Sequence, residues 1–232
     1  MPSPYAEAST KLLAACSAIS QSEGERLCEE ADLGTKPLVK WLEYLEQSED
    51  TGVAQCLLSG VRAVLYEAIG CISLGLIRPA IFSIRTQADL ILSWLFFKDH
   101  AVEWDRLEMT GDGFKLKADA LVYLGNHYLN FNERFAMLRI QSKWPGIDLY
   151  RILSAHVHCQ SSIVVPKVAK LADIVRPVET CDECIGLQLA CAEYICDVLL
   201  SCYSSKWTAL PPEVAAFGVD RLTPAQRAAF FS

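Results

Sequence analysis

Apolar residues recur along this chain every three to four positions, the spacing of helices, and no stretch shows the sustained alternation of a strand. Two stretches, 68–97 and 185–202, are apolar over most of their length. The first places Ile81, Ile84 and Leu92 among so many other apolar residues that a surface helix is excluded. The pattern therefore predicts an all-α protein with a buried central helix.

Capping and turn residues divide this pattern into separate helices. Ser22 and Glu25 have the spacing of a capping box, and so have Thr180 and Glu183. The predicted helices span residues 4–20, 37–47, 51–76, 79–98, 115–139, a segment from about 147 onward, and 180–204. We therefore expect a single bundle of four to five long helices with shorter peripheral helices. It would form a helical domain over residues 1–210 (core about 51–204), with a C-terminal tail, 211–232, that contains a short helix opened by Thr223.

Charged residues interrupt both apolar stretches. Arg78, Arg85 and Asp89 lie in the first, and Glu193 and Asp197 lie in the second. The longest uncharged piece of the first is ten residues, whereas a membrane span needs about 20. The sequence therefore predicts core helices and no membrane span. Since the N-terminus lacks the basic region of a secretory signal, we expect a cytoplasmic protein whose ten cysteines are reduced.

Composition and charge limit the classes of function. The 232 residues are 52% hydrophobic, which is enough for a substantial core, and the net charge of -7 excludes a uniformly basic nucleic-acid coat. The charge is uneven: residues 1–50 hold 4 basic and 10 acidic side chains, whereas residues 134–176 hold 7 basic and 2 acidic ones. The basic segment is either an electrostatic footprint for phosphate or a solvated face.

The densest catalytic potential lies between residues 149 and 158. On a helix, residues seven apart lie almost on one line, so Arg151, Ser154 and His158 share a stripe. Tyr150 lies at the edge of that stripe, and His156 points elsewhere. The predicted helix therefore presents a cation, a hydroxyl and an imidazole together.

This combination suits cleavage of RNA without a metal ion. The imidazole of His158 can take the proton of a ribose 2′-hydroxyl or return one to the leaving oxygen. The guanidinium of Arg151 can hold the phosphate and stabilise charge that develops on it. In the structural alternative, Arg151 and His158 pair with buried carboxylates or carbonyls and have no catalytic role.

Two segments resemble the HEPN superfamily of small helical-bundle proteins. Residues 79–89, PAIFSIRTQAD, are similar to that group's Arg-x3-acidic helix through Arg85 and Asp89, and the aromatic stretch WLFF follows at 94–97. The later pattern Tyr150-x2-Leu153-Ser154-x3-His158 matches a second segment of some HEPN-like families. Arg151 with either His156 or His158 fits the superfamily's Arg-x(4–6)-His signature.

The resemblance implies a function and an assembly. Many members with this signature are RNases of toxin–antitoxin, phage-defence or RNA-processing systems, and they form homodimers in which two such helices line one cleft. For this chain it implies a candidate RNase with Arg151, His158, His156 and Ser154 at its centre, and with RNA and an antitoxin or other protein as partners. Arg85, Asp89 and Tyr150 would form a supporting polar network, which also has a purely structural reading in which Arg85, Asp89 and His158 fix the helix register.

Two other readings remain open. The chain is alternatively a non-catalytic helical scaffold or interaction module whose partner carries the activity. Cys181 and Cys184 form a Cys-x2-Cys pair that is half of a zinc site or a redox pair; only Cys159, His156 and His158 lie near enough in sequence to complete a zinc site. No phosphate-binding or dinucleotide-binding glycine motif occurs, so the sequence predicts no cofactor.

Overall fold

A computed structural model describes residues 3–144 and 148–231 of the chain, and over these ranges it contains helices and no strand. This confirms the all-α prediction. The α-helices of the described residues are α1 (Pro4–Ser48), α2 (Cys56–Ser73), α3 (Ile77–Phe97), α4 (Ala101–Thr110), α5 (Lys117–His127), α6 (Phe131–Ile140), α7 (Leu149–His158), α8 (Val178–Tyr203), α9 (Pro212–Arg221) and α10 (Pro224–Phe230). Two 3₁₀ helices span Leu171–Ile174 and Ser204–Ala209.

The first helix is longer than the sequence predicts. Residues 4–48 form one helix of 45 residues, although Pro37 lies inside it and the Ser22–Glu25 pattern predicts a new start. Proline within a helix costs about 3 kcal/mol because it removes a hydrogen bond. Leu27, Leu38 and Leu45 lie on one continuous buried face of α1, and this burial outweighs the local penalty.

The prediction of one continuous helix over residues 115–139 is wrong. This segment is divided into the two helices α5 and α6 at Asn130, which has a left-handed backbone with a φ of 56°. Asparagine tolerates this conformation better than most residues, so the break is compatible with the sequence. The final short helix is confirmed: the Thr223 hydroxyl accepts a hydrogen bond from the amide of Gln226 at the start of α10.

The described residues divide into two compact units, each assembled from three separate parts of the chain. The first unit contains residues 3–34, 64–85 and 148–189. The second unit contains residues 35–63, 86–144 and 190–231. Both units therefore depend on contacts between residues that are distant in sequence.

The first unit contains α1 up to Gly34, α7, and parts of α2, α3 and α8. Its core includes Leu27, Leu65, Ile72, Ile84, Leu153 and Ile185. Gly75, which has a φ of +74°, forms the turn between α2 and α3, and its carbonyl accepts a hydrogen bond from the amide of Arg176 at 2.9 Å. A Cβ at Gly75 would lie 2.8 Å from a methyl group of Val175, so this turn requires glycine.

The second unit has an aromatic core and contains the C-terminal helices. Its large buried side chains include Trp41, Trp94, Phe97, Phe131 and Phe230. The buried guanidinium of Arg134 donates hydrogen bonds to the carbonyls of Leu129 and Phe230, at 2.7 Å each. This contact ties the residues after 211 to the core of the second unit.

Within residues 3–144 and 148–231, three helical segments are long and apolar enough to cross a membrane: Cys56–Ser73, Ile77–Phe97 and Val178–Ala209. The fraction of each segment that is buried inside the protein differs, at 28%, 67% and 83% respectively. The last two segments therefore present most of their residues to other parts of the chain, whereas most of the residues of α2 are not buried.

Candidate functional site on helix α7

Helix α7 is fixed by one apolar face and by its first turn. Leu149 and Leu153 are buried. The Asp148 carboxylate caps the N-terminus by accepting a hydrogen bond from the amide of Arg151 at 3.1 Å. Cys159 ends the helix in a left-handed conformation with a φ of 52°. The opposite face of α7 is therefore held outward by local contacts of the first unit.

Arg151 and His158 are both exposed on that outward face. They are seven positions apart on the helix, which corresponds to about 20° of net rotation and about 10 Å along the axis. Among the described residues, neither side chain has a hydrogen bond, an ion pair or a ring contact. Here we call Arg151 and His158 the exposed pair. Both groups are available to a ligand from solvent.

Beside the exposed pair, Arg85 of α3 joins Tyr150 and Ser154 of α7. One guanidinium nitrogen of Arg85 donates to the Ser154 hydroxyl at 2.6 Å, and another donates to the Tyr150 hydroxyl. The guanidinium also lies 3.9 Å from the centre of the Tyr150 ring. The Ser154 hydroxyl in turn donates to the Tyr150 carbonyl at 2.6 Å. The structure thus brings together three predicted residues, Arg85, Tyr150 and Ser154. The Ser154 hydroxyl is used in hydrogen bonds that hold α7 in place.

Asp89 lies one turn after Arg85 on α3, and His158 is the last residue of α7. Asp89 is half-buried on the part of α3 that belongs to the second unit. There, burial and then the Asp89 carboxylate raise the pKa of the Cys191 thiol to about 12. His158 is exposed. Because its side chain is exposed, His158 is not part of a buried network with Arg85 and Asp89 that fixes the helix register.

His156 faces a different environment from that of His158. It is half-buried, and burial, followed by the nearby charge of Arg78, lowers the pKa of its imidazole below the usual value. The Arg78 guanidinium donates to the Sγ of Cys159 at 3.2 Å and lies over the Phe82 ring at 5.1 Å. His156 therefore belongs to the contact between α3 and the end of α7.

The predicted basic segment separates into two groups of different function. Arg134 and Arg139 are used inside the second unit: Arg134 bonds backbone carbonyls, and Arg139 lies 3.5 Å from the buried Asp197 carboxylate. The first unit holds the exposed basic residues Arg151, Lys167, Lys170 and Arg176. This second group, together with the exposed Lys143 of the second unit, is placed to attract phosphate.

The two cysteines of the predicted Cys-x2-Cys pair have the properties of buried core residues. Cys181 and Cys184 are both buried in α8. Burial, followed by the neighbouring thiols of Cys181 and Cys71, raises the pKa of Cys184 to about 12. A search of residues 3–144 and 148–231 finds no group of three or more His, Cys, Asp or Glu side chains that is suited to hold a metal ion. The zinc reading of this pair gains no support.

A cluster of rings in the second unit was not singled out by the sequence. Phe96 and His100 stack with ring centres 4.1 Å apart, and Tyr123 and His127 are 4.6 Å apart. The two pairs meet where His100 contacts Tyr123, with ring centres 4.9 Å apart. The signal in the sequence is the i,i+4 spacing within each pair. Nothing in the spacing indicates that the two pairs meet, because α4 and a loop separate them.

Comparison of the chain with protein-family models, with curated proteins and with solved structures finds no match.

Proposed function

We propose that this chain is a HEPN-like, metal-independent endoribonuclease whose reacting groups are the exposed pair. The observation that carries the proposal is the position of Arg151 and His158, which share one exposed face of α7 and have no structural partner among the described residues. Charged and imidazole groups that stabilise a fold are usually paired. An exposed arginine and histidine at this spacing are instead available to a phosphodiester.

In the proposed reaction, each group has a chemical role that the geometry supports. The imidazole of His158 accepts the proton of the ribose 2′-hydroxyl, and the 2′-oxygen attacks the adjacent phosphorus. Arg151 donates hydrogen bonds to the phosphate oxygens as negative charge develops on them. The bond to the 5′-oxygen breaks and leaves a 2′,3′-cyclic phosphate. The 5′-oxygen takes its proton from a protonated imidazole.

The second imidazole is the reason for proposing a homodimer. On α7, His156 is rotated by about 200° from His158, so the two histidines of one chain do not face the same phosphate. His158 of a second copy would supply the acid if two α7 helices line one cleft, as the HEPN resemblance implies. We therefore propose a cytoplasmic homodimer in a bacterial defence or toxin–antitoxin setting, with RNA as substrate and an antitoxin or other regulatory protein as a further partner.

The test compares variants of the exposed pair with a matched exposed arginine. The purified protein is incubated with mixed single-stranded RNAs in the presence of EDTA, and the fragments are tested for cyclic phosphate ends. R151A and H158A should each lower the rate of cleavage by at least about a hundredfold. R26A, an exposed arginine of the same unit that lies outside the basic group, should retain most of the activity. Wild-type protein that leaves all the RNAs intact, or variants as active as wild type, would overturn the proposal.

A second candidate function rests on a different surface of the first unit. The connection between α7 and α8 exposes a series of aliphatic side chains, from Ile163, which is 92% exposed, to Val165, Val168, Leu171 and Ile174. Clusters of exposed apolar side chains are typical of protein interfaces. If the RNAs remain intact and this segment mediates stable association with another protein, the chain is a non-catalytic interaction module. Measurement of mass in solution for wild type and for I163D/V168D tests this alternative.

A further inference from the structure

Phe96, His100, Tyr123 and His127 form a continuous series of ring contacts on the second unit, which we call the ring ladder. The Phe96 and His100 rings are nearly parallel, at 4°, and the His100 and Tyr123 rings meet edge to face at 74°. Tyr123 and His127 are inclined by 35° with their centres 4.6 Å apart. The series therefore runs from the end of α3 across to the last turn of α5.

Hydrogen bonds fix the inner rings of the ladder. The Nδ1 of His100 is 2.7 Å from the carbonyl of Phe96, so this nitrogen carries the proton and donates. The Tyr123 hydroxyl donates to a carboxylate oxygen of Asp99 at 2.9 Å. Asp99 is held by the Lys98 ammonium at 3.0 Å. Because these rings are already oriented, a ligand that stacks on them loses little further side-chain entropy.

The ladder is open at one end. Phe96 is 8% exposed, His100 and Tyr123 are half-buried, and His127 is exposed. The His127 ring contacts Tyr123, and its side chain is exposed to solvent. Helix α4, which begins directly after His100, contains no buried residue. A flat ligand therefore has access to the outer ring without displacement of a core side chain.

Two lysines near the ladder are paired with carboxylates. Lys98 pairs with Asp99, and Lys115 pairs with Glu103 at 2.8 Å. The ammonium of Lys115 also lies 4.7 Å from the centre of the Phe96 ring. An anion gains little from lysines that are already paired, so the ladder favours ligands that bind by stacking rather than by attraction to these two charges.

We propose that the ring ladder binds an unpaired base of single-stranded RNA, which stacks on the outer face of His127. Aromatic and histidine rings are the usual stacking surfaces for splayed-out bases, and such stacking tolerates any base because every base has a π face. Bases within a duplex have no free face and should not bind. The choice of RNA as ligand rests on the proposed function, whereas the stacking site itself rests on the second unit alone.

The experiment uses an oligonucleotide that the proposed catalysis cannot cut. A fluorescent 2′-O-methyl RNA tetramer lacks the attacking hydroxyl, and its binding is measured by anisotropy in the R151A background so that the exposed pair contributes little. H127A and Y123L should each weaken binding about tenfold or more, and H127F and Y123F, which retain a ring, should bind as the background protein does. Y66L, which removes an exposed tyrosine of α2, is the matched control and should change nothing.

Three further readouts keep the test decisive. Binding should fall less than about threefold between 50 and 200 mM salt, because stacking rather than phosphate contact supplies the affinity. The ring resonances of His127 should shift when the tetramer is added, which tests the contact even if Y123L fails to fold. An abasic tetramer should not bind. Unchanged affinity in H127A, unshifted His127 resonances or equal binding of the abasic tetramer would overturn the ladder site.

The outcomes separate this inference from the proposed function. Loss of RNA cleavage in R151A together with intact tetramer binding supports both. Cleavage that persists while H127A binds normally overturns the ladder site alone. Absence of cleavage in the wild type while H127A still loses tetramer binding overturns the nuclease proposal alone, since the binding assay requires no reaction.

Discussion

The guanidinium of Arg85 lies 3.9 Å from the centre of the Tyr150 ring and also donates a hydrogen bond to its hydroxyl. This relationship joins α3 to the first turn of α7. The same guanidinium donates to the hydroxyl of Ser154 one turn later. Arg85 therefore fixes the rotation of α7 about its axis, which in turn determines where Arg151 and His158 point.

Replacement of Arg85 should affect both stability and the position of α7. R85A removes two hydrogen bonds from a charged donor and the contact with the ring, so we expect a loss of about 2 kcal/mol in the free energy of unfolding. Y150F keeps the ring and should lose about 1 kcal/mol or less. Urea denaturation of both variants measures the difference. Equal losses in the two would show that the hydroxyl contact, rather than the ring, dominates.

The exposed pair should be dispensable for folding. Because Arg151 and His158 have no structural partners among the described residues, R151A and H158A should each change the free energy of unfolding by less than about 0.5 kcal/mol. Thermal melts followed by circular dichroism provide the measurement. A loss of 2 kcal/mol or more in either variant would instead favour a structural role for that side chain.

Asp197 should give the second unit a distinctive pH dependence. Burial raises the pKa of its carboxyl to about 6 despite the ion pair with Arg221. Between about pH 4 and pH 6 the folded protein therefore binds a proton that the unfolded chain has released. This contribution to stability is fully present at about pH 4 and is lost as the pH rises through 6.

The corresponding experiment compares wild type with D197N. The asparagine does not titrate, so the melting temperature of wild type should fall relative to that of D197N as the pH rises from 4 to 7. Replacement of the exposed Asp112 by asparagine is the control and should produce no such shift. A difference that does not change with pH would show that the Asp197 carboxyl has an ordinary pKa in the folded protein.

The cysteines should fall into two classes of reactivity. Cys28, Cys56 and Cys159 are exposed, whereas burial raises the pKa of Cys184 and Cys191 to about 12. Since the thiolate is the reactive form, iodoacetamide at pH 8 should modify the exposed group first. Mass spectrometry of peptides after timed labelling gives the order. Rapid modification of Cys184 in the folded protein would revive the redox reading of Cys181 and Cys184.

Local spacing was sufficient for part of the candidate site. The spacing of seven positions from Arg151 to His158 predicts a shared face, but it does not predict whether that face is exposed or buried. It was not sufficient for Ser154, which lies on the same predicted stripe but bonds Arg85 of another helix. Which of two neighbouring positions meets another element depends on packing that lies outside the helix.

Helix boundaries also depend partly on local sequence and partly on tertiary packing. The capping pattern at Thr223 predicts the start of α10 correctly because both hydrogen-bonding partners lie within three residues. The similar pattern at Ser22 does not start a helix: Ser22 lies inside α1, whose buried apolar side chains begin after it at Leu27 and continue past Pro37 to Leu45. The free energy gained by burying a long apolar face is larger than the contribution of any one cap or the cost of one proline.

By itself, therefore, the sequence determines that this protein is helical and that α7 carries an arginine and a histidine on one side, since both follow from the period of the helix. The tertiary structure alone decides that Arg85 meets Tyr150 and that the rings of Phe96, His100, Tyr123 and His127 form one series. These contacts join residues that are up to 65 positions apart. Their formation depends on which helices pack together, and that depends on the burial of many side chains at once rather than on any local pattern.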